Sequence, residues 1–361
     1  MVEKKKNKDI RVVPIKELDS GMILMEDLID NSGVVLLKKG FKIYDIEKVL
    51  SFIKNHEFET DSILVEILEK TAEDYQEEDI NKFKKGFYTV KKEMIDEVKK
   101  IMFKEEIKKE EMEEMIDEIL QSAEGRLNVF QLLQKIREEN DAIYSHSFDL
   151  MLVSHSIGKW IGFNKETLKE LSLSALLSDI GKVKISRKII EKIDKLTKEE
   201  ELELKKHVVH SFDMVKNYTF MNDRIKEGVL FHHERFDGTG YPRGFVGTKI
   251  PVFARIIAIA DIYTALIEDR PYRNRKSPLE AIKILELDYK EKLDIEFLYI
   301  FIRKIADRYV GAKIKLNDGR KAQIVFFPRF HIYRPVIKLD NGDVLDLLNE
   351  ENKSIEIVDF I

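Results

Sequence analysis

Residues 10 to about 66 alternate short apolar runs with turn residues. Gly21-Met22-Ile23-Leu24 is followed by Asn31-Ser32-Gly33, then Val34-Val35-Leu36-Leu37, then Lys39-Gly40. A polar turn between two apolar runs is the pattern of a hairpin, and it predicts a small β-rich domain over 1–66. From about 67 the period changes. Phe83, Phe87, Val90, Met94 and Val98 recur at spacings of three and four, and Met112, Met115, Ile116 and Ile119 repeat the pattern. Both are single helix faces, so 67–128 is expected to be a helical connector. Its apolar stripe serves packing, with dimerisation or signal relay through 67–124 as the alternative. Residues 129–306 are expected to be strongly helical. The chain then returns to strands over 307–361, with Asn317-Asp318-Gly319 and Asn341-Gly342-Asp343 as turn signals. The expected fold class is mainly α: a large helical domain flanked by a small N-terminal β-rich domain with helices and a small C-terminal β-domain.

Composition narrows the chemistry. The 361 residues carry 62 Lys+Arg against 67 Asp+Glu, a formal net charge of −5. Neither a nucleic-acid polymer nor an anionic membrane surface is the expected partner, since both select for basic excess. The longest apolar stretch, Val252 to Ile267, is interrupted by Arg255 and Asp261. No bilayer span is expected, and the chain reads as cytoplasmic. Cysteine is absent, which excludes disulfides, thiolate metal sites and cysteine nucleophiles. Any metal must be held by histidine and carboxylate.

Six of the eight histidines fall between 146 and 233, and five of the sixteen glycines between 228 and 247. His146 shares a helix face with Leu150, Val153 and Ile157. Asp179 ends the apolar run Leu176-Leu177-Ser178-Asp179-Ile180, and Gly181 is expected to cap that helix in the left-handed conformation. Thr197 and Glu200 form a capping box opening a helix on which His207 lies in line with Leu204, Ser211 and Val215. Asp261 sits in a helix apolar nearly all round, where a lone carboxylate is costly unless paired or bound to a cation. Inward polar residues on four successive helices, plus the doublet His232-His233, suit a first-row divalent metal. An Asp shared between two ions would give a two-metal site for phosphoester hydrolysis. His155 and His210 are read as structural.

The string His232-His233-Glu234-Arg235-Phe236-Asp237-Gly238-Thr239-Gly240-Tyr241-Pro242 resembles the signature of the HD-GYP family, HD phosphohydrolases that cleave the bacterial second messenger cyclic di-GMP. The likeness continues through His146-Ser147, Ser178-Asp179-Ile180-Gly181-Lys182, His207, Ile259-Ala260-Asp261 and Arg270-Pro271-Tyr272-Arg273. It implies an all-helical HD-type domain holding one or two ions of Fe, Mn or Zn. One ion would be bound by Asp179, His207, His232 and His233, and the other by His146, Asp179, Asp261 and the histidine of the HD doublet. It further implies that Lys182 acts near the scissile phosphate with Asp179, and that Tyr241, Arg270, Arg273 and Gly240 form the ligand-binding set. Gly238 and Gly240 are expected to serve loop geometry.

Two positions depart from the family pattern. Ser178 stands where the doublet has its histidine, and Thr264 where members carry a second aspartate after Asp261. A third ion, which in some members needs a glutamate at the place of Ala142, is not expected. A serine hydroxyl is too short and too weakly basic to replace imidazole. The resemblance therefore implies a metal-dependent phosphodiesterase converting cyclic di-GMP to pGpG and GMP with reduced or altered activity. The alternative is a catalytically degenerate receptor for cyclic di-GMP or a related nucleotide.

Overall fold

The computed structural model describes residues 9–67, with short breaks at 20–21, 44–45 and within 55–61, then 72–122, 142–268 and 276–360. The chain divides into two compact units, Met1–Glu78 and Asp79–Ile361.

The first unit is built on an antiparallel sheet of order β1-β5-β2, formed by β1 (Asp9–Pro14), β2 (Met22–Leu24) and β5 (Ser62–Ile67). The register pairs Val12 with Leu64 and Leu24 with Val65. The predicted hairpin is present as β3 (Leu28–Ile29) and β4 (Val35–Leu37). Its turn is held by Asp30, whose Oδ1 accepts from the backbone N–H groups of Ser32 and Val34, both at 3.0 Å. Leu24, Ile43 and Val65 are fully buried beneath, with helix α1 (Ile46–Ile53) contributing Val49 and Ile53.

In the second unit the connector helices α2 (Ala72–Phe103), from Phe87 on, and α3 (Lys109–Ser122) share one continuous core with the central helices and the C-terminal sheet. Phe87, Val90, Met94 and Val98 are all buried in that core, so this helix face is spent within the chain. Phe87 meets Phe148 edge to face with ring centres 5.7 Å apart. The central helices are α4 (Ala142–Ile161), α5 (Lys165–Leu177), α6 (Arg187–Ile190), α7 (Lys198–Lys205), α8 (His207–Val215), α9 (Asp223–Phe231), α10 (Val252–Ile267), α11 (Pro278–Asp288) and α12 (Ile295–Ala306). Their starts are legible in sequence. Asn164, Asn222 and Asp294 accept from N–H groups of the first turn, and Thr197–Glu200 and Ser277–Glu280 form capping boxes.

The C-terminal strands β6 (Lys313–Leu316), β7 (Lys321–Phe326), β8 (Val336–Leu339), β9 (Val344–Asp346) and β10 (Ile357–Phe360) form an antiparallel sheet of order β10-β6-β7-β8-β9. A buried carboxylate ties it to the helices: Glu286 on α11 accepts from the backbone N–H groups of His331 (2.7 Å) and Ile332 (2.9 Å) and from the Tyr299 hydroxyl (3.1 Å). Among the described residues, no helix is long and apolar enough to cross a membrane. The chain is mainly α, as expected.

Two local expectations are corrected. Gly181 is not a left-handed cap: Ser178 closes α5 in right-handed geometry and Ile180–Lys184 continues as a 3-10 turn. The glycine is required by proximity instead. A Cβ there would lie 2.2 Å from the His207 carbonyl oxygen and 2.4 Å from Ser211 N, so any side chain would push α8 away from Asp179. The helix opened by Thr197 also does not run through His207. It ends at Lys205, and His207 begins α8.

Candidate metal centre

Asp179, at the end of α5, is 1 % exposed and stands at the centre of the site. His207 comes from the first residue of α8, and His232 and His233 from the end of α9. One ligand atom from each of these four residues lies within 4.8 Å of the others. The tautomers are set by the backbone. His207 Nδ1 donates to the Leu204 carbonyl (2.7 Å) and His232 Nδ1 to the Val229 carbonyl (2.9 Å). A carbonyl can only accept, so each neutral ring carries its proton on Nδ1 and presents a bare Nε2 lone pair inward. These nitrogens face Asp179 Oδ1 at 3.2 Å and 3.8 Å. All three atoms are buried without a hydrogen-bond partner. Lone pairs converging in a buried pocket repel unless a cation or a donor lies between them. With nitrogen and oxygen donors fixed from behind, the residues fit a first-row divalent ion.

The other side of the pocket is arranged differently. His146 Nδ1 donates to Glu268 Oε1 (2.7 Å), while its Nε2 lies 3.3 Å from Asp261 Oδ1 and 3.5 Å from Asp179 Oδ2. Burial works against the imidazolium, but Glu268 and Asp261 overcome it and push the His146 pKa up to about 10. Lys182 Nζ donates to Asp179 Oδ2 at 2.7 Å. Burial opposes ionisation of Asp179, yet the Lys182 ammonium holds its carboxyl well below the usual range. Asp261 is likewise held down against burial, by His233 and His146. Burial and the adjacent His232 drive His233 well below its ordinary value.

The two departing residues turn away from this pocket. Ser178 is fully buried, and its hydroxyl donates to the Ser174 carbonyl one turn back (2.8 Å). Thr264 does the same to Ala260 O (2.9 Å). Each occupies its family position as a helix back-bond.

The glycine-rich loop is held from beneath by a residue to which sequence reasoning gave no role. Glu234 is 1 % exposed and accepts from the backbone N–H groups of Arg243 (2.7 Å) and Phe245 (3.0 Å). Gly240 packs on the same segment, where a Cβ would lie 2.3 Å from Arg235 N. The loop so formed lays Tyr241 over His233, with ring centres 4.8 Å apart and planes 23° from parallel. Arg270 and Arg273 lie outside the described residues.

Residues 131–297 match the family model described as HD domain, and the paired histidines and the Gly-Tyr-Pro loop lie together at its metal cluster. The chain carries an HD domain. Over 207 residues it is 28 % identical to a cyclic di-GMP phosphodiesterase of Pseudomonas aeruginosa, covering 57 % of this chain and 50 % of that protein. It is 32 % identical over 217 residues to the cyclic di-GMP phosphodiesterase PdeB of Borreliella burgdorferi, covering 59 % and 56 %. It is also 34 % identical over 167 residues to the 3'3'-cGAMP-specific phosphodiesterase 1 of Vibrio cholerae, covering 46 % and 38 %. The chain spans about half the length of the curated relatives it matches.

Proposed function

We propose that this HD-GYP domain is a metal-dependent phosphodiesterase for a cyclic dinucleotide of the cyclic di-GMP class, working from one tightly held ion and with reduced turnover. The observation that carries this reading is the set of bare lone pairs on Asp179, His207 and His232, converging with His233 in a buried pocket. The relatives named for cyclic di-GMP support the substrate class, and the cGAMP-specific relative extends it to mixed-base dinucleotides. An ion held by Asp179, His207, His232 and His233 would polarise a phosphate oxygen and acidify bound water. Lys182, already ion-paired to Asp179, supplies a positive charge for the phosphate on the far side. Tyr241, stacked on His233, offers a flat face beside the cluster. Arg270 and Arg273 are assigned to phosphate and guanine contacts by family position.

The second half-site of His146, Asp179 and Asp261 has three ligands and no fourth, because Ser178 bonds its own helix. Its positions are already neutralised by Lys182 and by the His146–Glu268 pair, so a second ion binds weakly there. The same observation favours one alternative, a receptor that holds the nucleotide without cleaving it.

Incubation with cyclic di-GMP or 3'3'-cGAMP and Mn²⁺, followed by resolution of the linear dinucleotide, separates these readings. Slow linear product supports the phosphodiesterase. Micromolar binding with no product over hours leaves the receptor, and no binding of either nucleotide refutes both.

A further inference from the structure

On α4, nine residues past His146, a second histidine faces a different part of the molecule. A cavity of about 690 Å³ lies between α3, α4 and α5, with Asp117, Gln121, His155, Lys159, Lys165 and Lys169 among its walls. None of these residues belongs to the metal cluster.

The charges are unbalanced. Lys165 and Lys169 lean on one carboxylate, Asp117, at 3.3 Å and 3.0 Å. Lys169 also reaches Glu113 at 3.4 Å. Lys159 has no carboxylate within ion-pair distance among the described residues. Three lysines therefore line a cavity with one carboxylate, Asp117, in its wall and Glu113 beside Lys169, a positive excess that favours an anion.

The hydrogen-bond polarity of His155 adds a second requirement. Its Nδ1 lies 3.1 Å from Ser172 Oγ. The Ser172 hydroxyl spends its only proton on the Leu168 carbonyl at 2.7 Å. Nδ1 must then be the donor in the histidine–serine contact. Burial, reinforced by the charge of Lys159, pushes the His155 pKa down to about 4, so the ring is neutral near pH 7. Its Nε2 is thus an unprotonated acceptor in a cavity walled by ammonium donors.

A ligand that uses both features is anionic and carries an O–H or N–H that can donate to Nε2. A sugar phosphate has both features: a largely dianionic phosphate for the lysines and a hydroxyl of its organic body to donate to Nε2, while inorganic phosphate offers its remaining P–OH. Leu120 and Leu168 supply apolar wall for a small organic body, and the volume lies within the range of small-molecule sites. We propose that this cavity is a second ligand site, separate from the metal centre, that binds a small phosphate monoester. In the free protein Asp117 holds the lysines in place of the ligand, and occupancy would tie the connector helix α3 to α4 and α5.

The test titrates inorganic phosphate and ribose 5-phosphate into the full chain by calorimetry, in EDTA and on a His232→Ala background. The metal cluster then contributes nothing, and failure of the phosphodiesterase reading leaves this result unaffected. One saturable site per chain is expected. Lys159→Glu alters an exposed side chain and should weaken binding about tenfold or more. His155→Phe keeps the ring volume and should weaken it severalfold. Lys313→Glu, on the distant C-terminal sheet, should leave it unchanged. Absence of saturable binding of either probe up to about 10 mM overturns the proposal. So does an affinity unchanged in Lys159→Glu, or one lost equally in Lys313→Glu.

Discussion

The two halves of the HD pocket share Asp179 and differ in what balances their charge. On one side Oδ1 faces the Nε2 atoms of His207 and His232, whose protons are committed to backbone carbonyls on the far edge of each ring. That half has no internal source of positive charge for its converging lone pairs. On the other side Oδ2 receives the Lys182 ammonium, and His146 is drawn between Glu268 and Asp261. That half satisfies itself. The contrast arises from residues that do not face the pocket at all: Ser178 and Thr264 have turned into their own helices. On the proposed reading a pocket for two ions becomes a pocket for one, because a ligand is lost and a neighbouring lysine and a proton cover the vacated charge.

The largest effect is expected on the side of His207 and His232. His232→Ala removes a ligand whose Nε2 has no other partner. Mn²⁺ affinity should fall by more than about 100-fold, beyond the loss caused by outer-shell changes, as read by titration calorimetry. If affinity is unchanged, the ion is held elsewhere. The weaker side should respond in the opposite direction. Ser178→His, alone or with Thr264→Asp, should restore a fourth ligand and raise phosphodiesterase turnover by about tenfold or more. Product formation at saturating Mn²⁺, alongside a thermal melt to confirm folding, would decide this.

The self-satisfied half also makes a prediction about stability. In the metal-free protein, Glu268→Gln replaces a charge-assisted hydrogen bond to His146 with a neutral one. It should cost about 1 kcal/mol in urea unfolding. An unchanged midpoint would mean that Glu268 does not balance His146.

The smallest effect comes from the histidine on the other side of α4. The folded-state pKa of His155 lies near 4, below its ordinary 6.5. The unfolded chain therefore binds the extra proton first, and the contribution of this residue is complete above pH 6.5 and lost as pH falls toward 4. Discounted for partial exposure, it amounts to about 1 kcal/mol. The stability of His155→Gln should fall less steeply across that window than that of the parent chain. Equal slopes would contradict the assignment.

Much of this arrangement was legible in the sequence. The turns Asn31-Ser32-Gly33 and Asn317-Asp318-Gly319 locate hairpins, and Thr197 and Glu200 locate a helix start, because turns and caps are local chemistry. The ligands His207, His232, His233 and Asp179 are readable from motif order. What escaped depends on contacts between distant segments. Gly181 looked like a cap because glycine commonly ends helices, yet its constraint is the backbone of α8 pressed against it. Glu234 closes a loop by accepting from residues nine and eleven positions on, which no helical or strand period reveals. Glu268 had a signal that could have been used. It lies one helical turn past Thr264, so the acidic group missing at 264 reappears four residues later.

On the proposed reading one half of the pocket needs an ion and the other does not. Metal content of protein purified anaerobically and measured by mass spectrometry tests this most directly. The account predicts one first-row ion per chain, absent from His232→Ala. Two tightly held ions per chain with Ser178 in place would contradict it.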